Sequence, residues 1–330
     1  MSSKPTLVQW ILDTRHWFPE ATETKHLETH AQASRALALL PQAERTSVLR
    51  YFHVRDAKMS LASCLLKHYC ITRLAPGSPP WDSTTITRDA RTKPVWIDPA
   101  TGTQPVSFNV SHQAGIVALV AVANYRVGGG GEVAAAAAEV GVDVVCTSER
   151  RARDQKIVRE EGWPAFVDMH ADVFGPGEVR YLKYQVLSAM PPLDPAPSAE
   201  QLADAKLRAF YALWALREAY IKLTGEALLA EWLRELEFRD FHPPKPTAGW
   251  EVPADEDIIG REAQVIRQAE IRLRGRKIDD VNMCLRSVGQ DFMIATAVRT
   301  PGNKDDGLGW RLGPYEILSL EEVLDYAESR

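Results

Sequence analysis

Cysteine is scarce in this chain: four residues in 330, namely Cys64, Cys70, Cys146 and Cys284. None of them forms a CxxC pair, so the pattern suits neither a zinc ribbon nor a disulfide scaffold and predicts reduced, buried thiols. Long apolar runs are missing as well, with no stretch approaching the roughly 18 consecutive apolar residues of a membrane span. The opening residues, MSSKPTLVQWILDTRHW, carry an apolar patch but no signal-peptide cleavage site. The expected location is therefore the cytoplasm. Gly-Lys-Ser/Thr is absent, which removes the Walker phosphate loop, and SHQAG around Ser111 is not the GxSxG elbow of a serine hydrolase. No repeat has a solenoid period.

What is present is the balance of a globular protein, 45% hydrophobic and 25% charged, which sets aside disordered and fibrous classes. The length suits about two domains. A net charge of -5 conceals an asymmetry: between Arg45 and Lys93, nine Lys/Arg face three acids (Asp56, Asp82, Asp89), a local +6 that leaves about -11 for the rest. Such a stretch in an acidic protein points to a confined anionic ligand, a phosphate group or an acidic partner, more than to a long nucleic acid. A solvated helix face is the alternative on charge alone.

Residues 6–18 read as a strand-like run and 25–40 as a helix ended by Pro41. Helical spacing of apolar residues from Gln42 to Leu74 predicts two helices close together, and the proline-rich 75–81 a loop. Short strands are expected at 84–86 and 94–97, and longer ones at 106–110 and 116–122 around SHQAG as a turn. GGGGEVAAAAAE at 128–139 reads as a flexible surface insertion. It marks a boundary between subdomains 1–139 and 140–330, the second opening with a strand at 140–145. Beyond it come helix-compatible sequence at 148–161, a proline-rich loop at 188–200, and the strongest helix of the chain at 202–223, closed by Gly225. Antiparallel strands are expected at 270–273, 282–287 and 292–298. A polar break at 302–307 suggests that the last segment packs peripherally.

Three stretches place polar groups in apolar surroundings: FNVSH at 108–112, GVDVV at 141–145 and FYALWALREAYIKLTGEAL at 210–228. Glu218 and Lys222 are spaced i,i+4, so a carboxylate and an ammonium share one helix face. They suit a metal and a phosphate oxygen held together, or simply a helix salt bridge worth a few tenths of a kcal/mol. Asp143 lies in an apolar strand, where an unpaired carboxylate is costly to bury. It needs a metal, a cation or a place at a strand end. Ser111 and His112 fall in the expected turn, where an imidazole can donate to a phosphate; a lone histidine is more often structural, and no second histidine supplies metal-ligand spacing.

Taken in order, FNVSH, GVDVV and WALREAYIKLTGEAL, preceded by RDAK at 55–58 and ARTKPVW at 90–96, resemble the signatures of the 4'-phosphopantetheinyl transferases. The closest type is the Sfp-like class, in its eukaryotic, fungal broad-specificity form. The resemblance covers roughly residues 40–230, and the remainder matches only in its strand pattern. It implies a pseudo-symmetric α+β fold of two similar halves, each a small antiparallel sheet packed with helices, with coenzyme A in the cleft between them. It also implies transfer of the 4'-phosphopantetheine arm of coenzyme A to a serine of apo acyl or peptidyl carrier domains, releasing 3',5'-ADP. The implied acceptors are acidic carriers of fatty acid synthase, polyketide synthases, nonribosomal peptide synthetases and an aminoadipate reductase.

By motif position, the resemblance implies that Asp143 and Glu218 hold Mg²⁺, for which Mn²⁺ can substitute, with Glu218 also the base for the acceptor serine. Lys222 joins them as a catalytic residue that binds a phosphate oxygen. Coenzyme A contacts are implied for Arg50, Arg88, Arg91, Lys93, Asn109, Ser111 and His112. Val145 stands where bacterial members carry a second acid, which implies two protein ligands to the metal. A pseudo-dimeric single chain implies a monomer. Two alternatives belong to other classes: a non-catalytic coenzyme A or carrier-binding module, and an Mg²⁺-dependent nucleotide phosphohydrolase.

Overall fold

The apolar run IVALVAVA at 116–123 and VGVDVV at 140–145, apolar but for Asp143, form strands covered on both faces, and they organise the molecule. The structure is a computed structural model describing residues 5–125, 138–188, 197–226, 230–247, 264–267 and 269–330. Residues 128–137 of the Gly/Ala-rich insertion and 189–196 of the proline-rich segment lie outside the described residues.

The first half runs β1 (Thr6–Asp13), α1 (Ala31–Ala38), α2 (Gln42–Leu49), α3 (Val54–Leu74), β2 (Thr87–Arg88), β3 (Pro94–Val95), β4 (Val106–Gln113) and β5 (Ile116–Ala123). There follow β6 (Glu139–Cys146), α4 (Arg151–Glu161), α5 (Trp163–Asp168), α6 (Pro176–Tyr184) and α7 (Ala199–Thr224). The chain then passes through β7 (Leu236–Arg239), β8 (Val265–Ile266), β9 (Glu270–Leu273), β10 (Arg276–Ile278), β11 (Asn282–Val288) and β12 (Phe292–Arg299). It closes with α8 (Lys304–Leu308), β13 (Glu316–Leu318) and α9 (Leu320–Glu328).

The internal symmetry is visible in strand order. One four-stranded sheet reads β13-β1-β5-β4 and a second β6-β12-β11-β8, beside the smaller β10-β9-β7 and β2-β3 sheets, so β1-β5-β4 and β6-β12-β11 repeat one arrangement of a strand, a helical excursion and a returning hairpin. In each half the long helix, α3 or α7, covers its own sheet with a separate apolar core. A third core joins the sheets face to face: Ile116, Ala118, Val120 and Val122 of β5 meet Val140, Val142 and Val144 of β6. This is the α+β architecture of two similar halves.

Three expectations are corrected. The helix expected over 25–40 breaks into a 3₁₀ turn at Thr24–Glu28 and α1, where His30 Nδ1 caps the new start by accepting from Ala33 N at 3.4 Å. The polar break at 302–307 holds most of α8, and the last segment is not peripheral. β13 pairs in parallel with β1, and Leu318, Leu320, Val323 and Leu324 complete the core under α3. Residues counted with the second half along the chain therefore finish the first half's sheet. Finally, the turn between β4 and β5 is only Ala114-Gly115, so Ser111 and His112 are strand residues.

Candidate active site

The site forms where β6 crosses α7. Helix α7 starts at a capping box, in which Ser198 Oγ accepts from Gln201 N at 3.2 Å and Gln201 Oε1 from Ser198 N at 2.7 Å. It ends at Gly225, whose φ of 76° is the left-handed cap conformation. Strand β6 lies so close to this helix that a Cβ on Gly141 would stand 2.1 Å from Ala219 O and 2.5 Å from Leu223 N. Only glycine permits that approach. Asp143, two residues on and on the same face, is thereby brought to the helix side chains Glu218 and Lys222.

Lys222 Nζ lies 2.5 Å from Asp143 Oδ1 and 2.9 Å from Ser111 Oγ, and Ser111 Oγ lies 3.1 Å from the same carboxylate oxygen. The expected pairing of Glu218 with Lys222 along the helix thus gives way to a tie from Lys222 to the strand. Burial pushes the Asp143 carboxyl above its ordinary pKa, while Lys222 and Ser111 pull it back. Glu218 is half-buried and lines a small hollow with Val173, Phe174, Trp214, Arg217 and Ile221. Burial and the nearby charge of Asp143 both raise its pKa. A carboxylate whose charge acts on Glu218, with the Ser111 hydroxyl beside it, offers hard oxygen donors of the kind a divalent cation takes. Among the described residues no group of three or more His, Cys, Asp and Glu side chains gathers here. Val145, on the Asp143 face, is buried in the second core.

Arg217 needs no ligand. Its guanidinium donates to Glu178 Oε2 at 2.6 Å and Leu236 O at 2.7 Å, and Glu178 also accepts from Gly175 N and Phe238 N at 2.8 Å each. This buried pair ties α7 to α6 and β7. His112 faces water on one side; the protein packed around its other side and the charge of Lys222 hold its pKa below the usual imidazole value. Asp56, at the start of α3 in the RDAK stretch, acts on His112 in the opposite sense.

The basic segment is divided. Arg91 donates to Thr224 O at 2.6 Å, and Lys93 Nζ donates to Leu223 O at 3.1 Å and Val140 O at 3.2 Å, so both cap the carbonyl end of α7. They line a cleft of about 350 Å³ with Gln104, Ser107, Phe108 and Glu139, between the two halves. Arg88 donates instead to Thr92 O at 2.6 Å within its own loop. Arg50 lines a separate surface hollow beside Lys25, Tyr51 and Phe52. Asp89 escaped the sequence reading: its Oδ1 accepts from Arg91 N at 2.8 Å and Lys93 N at 2.9 Å, folding the loop that aims both cations. An aspartate two and four residues before the basic pair is the local pattern that could have revealed it.

Fold and site together define an enzyme of two related halves with an acid–lysine centre at their junction. Family models match the chain on both sides of that junction: 4'-phosphopantetheinyl transferase, N-terminal, over residues 26–124, and the 4'-phosphopantetheinyl transferase superfamily over residues 139–266. The chain is 46% identical to 4'-phosphopantetheinyl transferase 1 of Fusarium mangiferae over 99% of its own length and 97% of that protein. It is 36% identical to a 4'-phosphopantetheinyl transferase of Aureobasidium melanogenum, covering 97% of each chain. With 4'-phosphopantetheinyl transferase NpgA of Emericella nidulans it shares 34% identity over 97% of this chain and 93% of the other. The chain belongs to the 4'-phosphopantetheinyl transferases.

Proposed function

We propose that this protein transfers the 4'-phosphopantetheine arm of coenzyme A to a serine of apo carrier domains and releases 3',5'-ADP. The observation that carries the reading is the convergence of Asp143, Glu218, Lys222 and Ser111 beside a cleft lined by Arg91 and Lys93. A binding module has no need of two repelling carboxylates next to a lysine.

The chemistry follows from these groups. Asp143 and Glu218 are the residues that would hold Mg²⁺, or Mn²⁺ in its place, with pyrophosphate oxygens and water as the other ligands. The ion would supply neutralisation of the pyrophosphate charge. Glu218, its pKa raised into a more basic range by burial and by Asp143, accepts the proton of the acceptor serine hydroxyl, directly or through water. Lys222 is poised to turn from Asp143 to a phosphate oxygen and stabilise the charge that develops on it. His112 contacts the 3'-phosphate or a neighbouring phosphate, and Arg88, Arg91 and Lys93 contact the adenosine end, with Arg50 a more distant contributor.

Acidic carrier domains of fatty acid synthase, polyketide synthases, nonribosomal peptide synthetases and an aminoadipate reductase are the proposed acceptors, steered by the basic surface. The proposed working form is a cytoplasmic monomer. Among the described residues no helix is long and apolar enough to cross a membrane. The test is intact mass spectrometry of an apo carrier protein incubated with this protein, coenzyme A and Mg²⁺, beside a chelator control. A gain of one phosphopantetheine arm that disappears with chelator is expected. Coenzyme A binding without any gain on several carriers would return the protein to the class of binding modules.

A further inference from the structure

Strand β6 is the edge of its sheet, paired through its backbone with β12 on one side only. Its other edge should present unpaired N–H groups to the first sheet, and buried donors of this kind must be satisfied. Among the described residues no strand pairs with that edge. Instead, three side chains of β4 take its amides in succession: Asn109 Oδ1 accepts from Val142 N at 2.9 Å, Ser111 Oγ from Val144 N at 3.3 Å, and Gln113 Oε1 from Cys146 N at 2.9 Å. Both series advance by two residues, so alternate side chains of one strand meet alternate amides of the other.

We infer that Asn109, Ser111 and Gln113 form a register ladder between the two halves, and that Asn109 and Gln113 are positioning residues for the transfer reaction. The inference rests on the transferase reading above. Sliding β4 along β6 by one rung would move it about 7 Å and exchange every partner, setting Ser107 or Ser111 opposite Val142 in place of Asn109. The ladder thus fixes Ser111 opposite Asp143, and it fixes His112, which projects from the other face of β4, relative to Lys222 and the cleft. Gln113 is further anchored by donating from Nε2 to Glu149 Oε2 at 2.7 Å. Asn109, implied by the resemblance to contact coenzyme A, uses its side-chain carbonyl on the partner strand instead.

The test compares Asn109→Leu, which removes the acceptor, with Asn109→Asp, which keeps an oxygen in its place, and adds Gln113→Met. Amide hydrogen exchange of Val142 in Asn109→Leu, and of Cys146 in Gln113→Met, should accelerate about tenfold or more relative to the unaltered chain, with Val142 protection largely retained in Asn109→Asp. In carrier modification, Asn109→Leu should lower kcat by about tenfold to a hundredfold, the scale of an ångström-sized misplacement. Its coenzyme A dissociation constant should change less than about threefold, and Asn109→Asp should recover most of the lost kcat. Unchanged exchange at Val142 and Cys146 would overturn the ladder. A coenzyme A affinity that falls as far as kcat would overturn the positioning role, since that is the signature of ligand contact. If one variant fails to fold, the exchange measurement on the other decides. Because exchange is read without any transfer, failure of the ladder and failure of the transferase reading give different results.

Discussion

Gly141→Ala tests whether the β6–α7 crossing places the catalytic groups. The added Cβ would lie 2.1 Å from Ala219 O and 2.5 Å from Leu223 N, where ordinary contact begins at 3.4 Å. Both obstacles are main-chain atoms of one helix, so no side-chain rotation relieves them, and strand and helix must separate by about 1 Å. Over-packing of a tight core costs about 1–3 kcal/mol, and main-chain obstacles put this case at the upper end. With an unfolding entropy of roughly 2 cal/mol/K per residue, 3 kcal/mol lowers the Tm of a chain this size by about 4 °C. The same displacement carries Asp143 away from Glu218 and Lys222. A shift of an ångström at reacting groups costs about a hundredfold in rate. Thermal unfolding by circular dichroism and a carrier-modification time course by mass spectrometry measure the two effects. Coenzyme A affinity should fall as well, because Lys93 Nζ bridges Val140 O and Leu223 O across the same crossing. A variant with unaltered Tm and kcat would refute the argument that this close approach sets the site.

Glu218→Gln keeps shape but removes the basic carboxylate, so carrier modification should fall by at least about a hundredfold while calorimetry still detects coenzyme A binding; unaltered turnover would remove Glu218 from the catalytic role. Arg217→Leu leaves the buried Glu178 carboxylate without its guanidinium and should cost about 3–5 kcal/mol, read as a loss of denaturant midpoint. Ring NMR of His112 should give a midpoint below the ordinary 6.5, since burial and Lys222 disfavour the imidazolium. Adding 3',5'-ADP should raise that midpoint, with proton uptake at pH values between the free and bound midpoints, because a phosphate favours the charged ring; an unmoved midpoint would place the phosphate elsewhere. Truncation after Pro314 removes β13 and α9 with Leu318, Leu320, Val323 and Leu324. At about 1.5–3 kcal/mol per buried aliphatic side chain, this loss is comparable with a whole domain's net stability of roughly 5–15 kcal/mol. A soluble, cooperatively unfolding truncated chain would contradict the account of the C-terminal segment.

The sequence by itself determined the local elements whose periodicity is strong: α3, α7 with its glycine cap, the doubly buried β5 and the apolar β6 all follow from residue spacing. It also marked Asp143, Glu218 and Lys222, because a charge inside an apolar pattern demands a partner wherever the chain goes. What it did not reveal is which partner each would take. Glu218 and Lys222 are correctly spaced for a helix pair, yet Lys222 reaches Asp143, 79 positions away along the chain. Arg217 belongs to Glu178 for the same reason: burial removes water as an alternative partner, and the nearest opposite charge in space wins over the nearest in sequence. Asn109 reads as a polar residue of a strand, and Ser111 and Gln113 as residues of a turn, until the sheets meet, and only then does the free edge of β6 give them amides to accept from. The closing strand β13 carries no signal of its own, being three residues long. Its place beside β1 is decided by the unpaired edge that the rest of the first sheet leaves open.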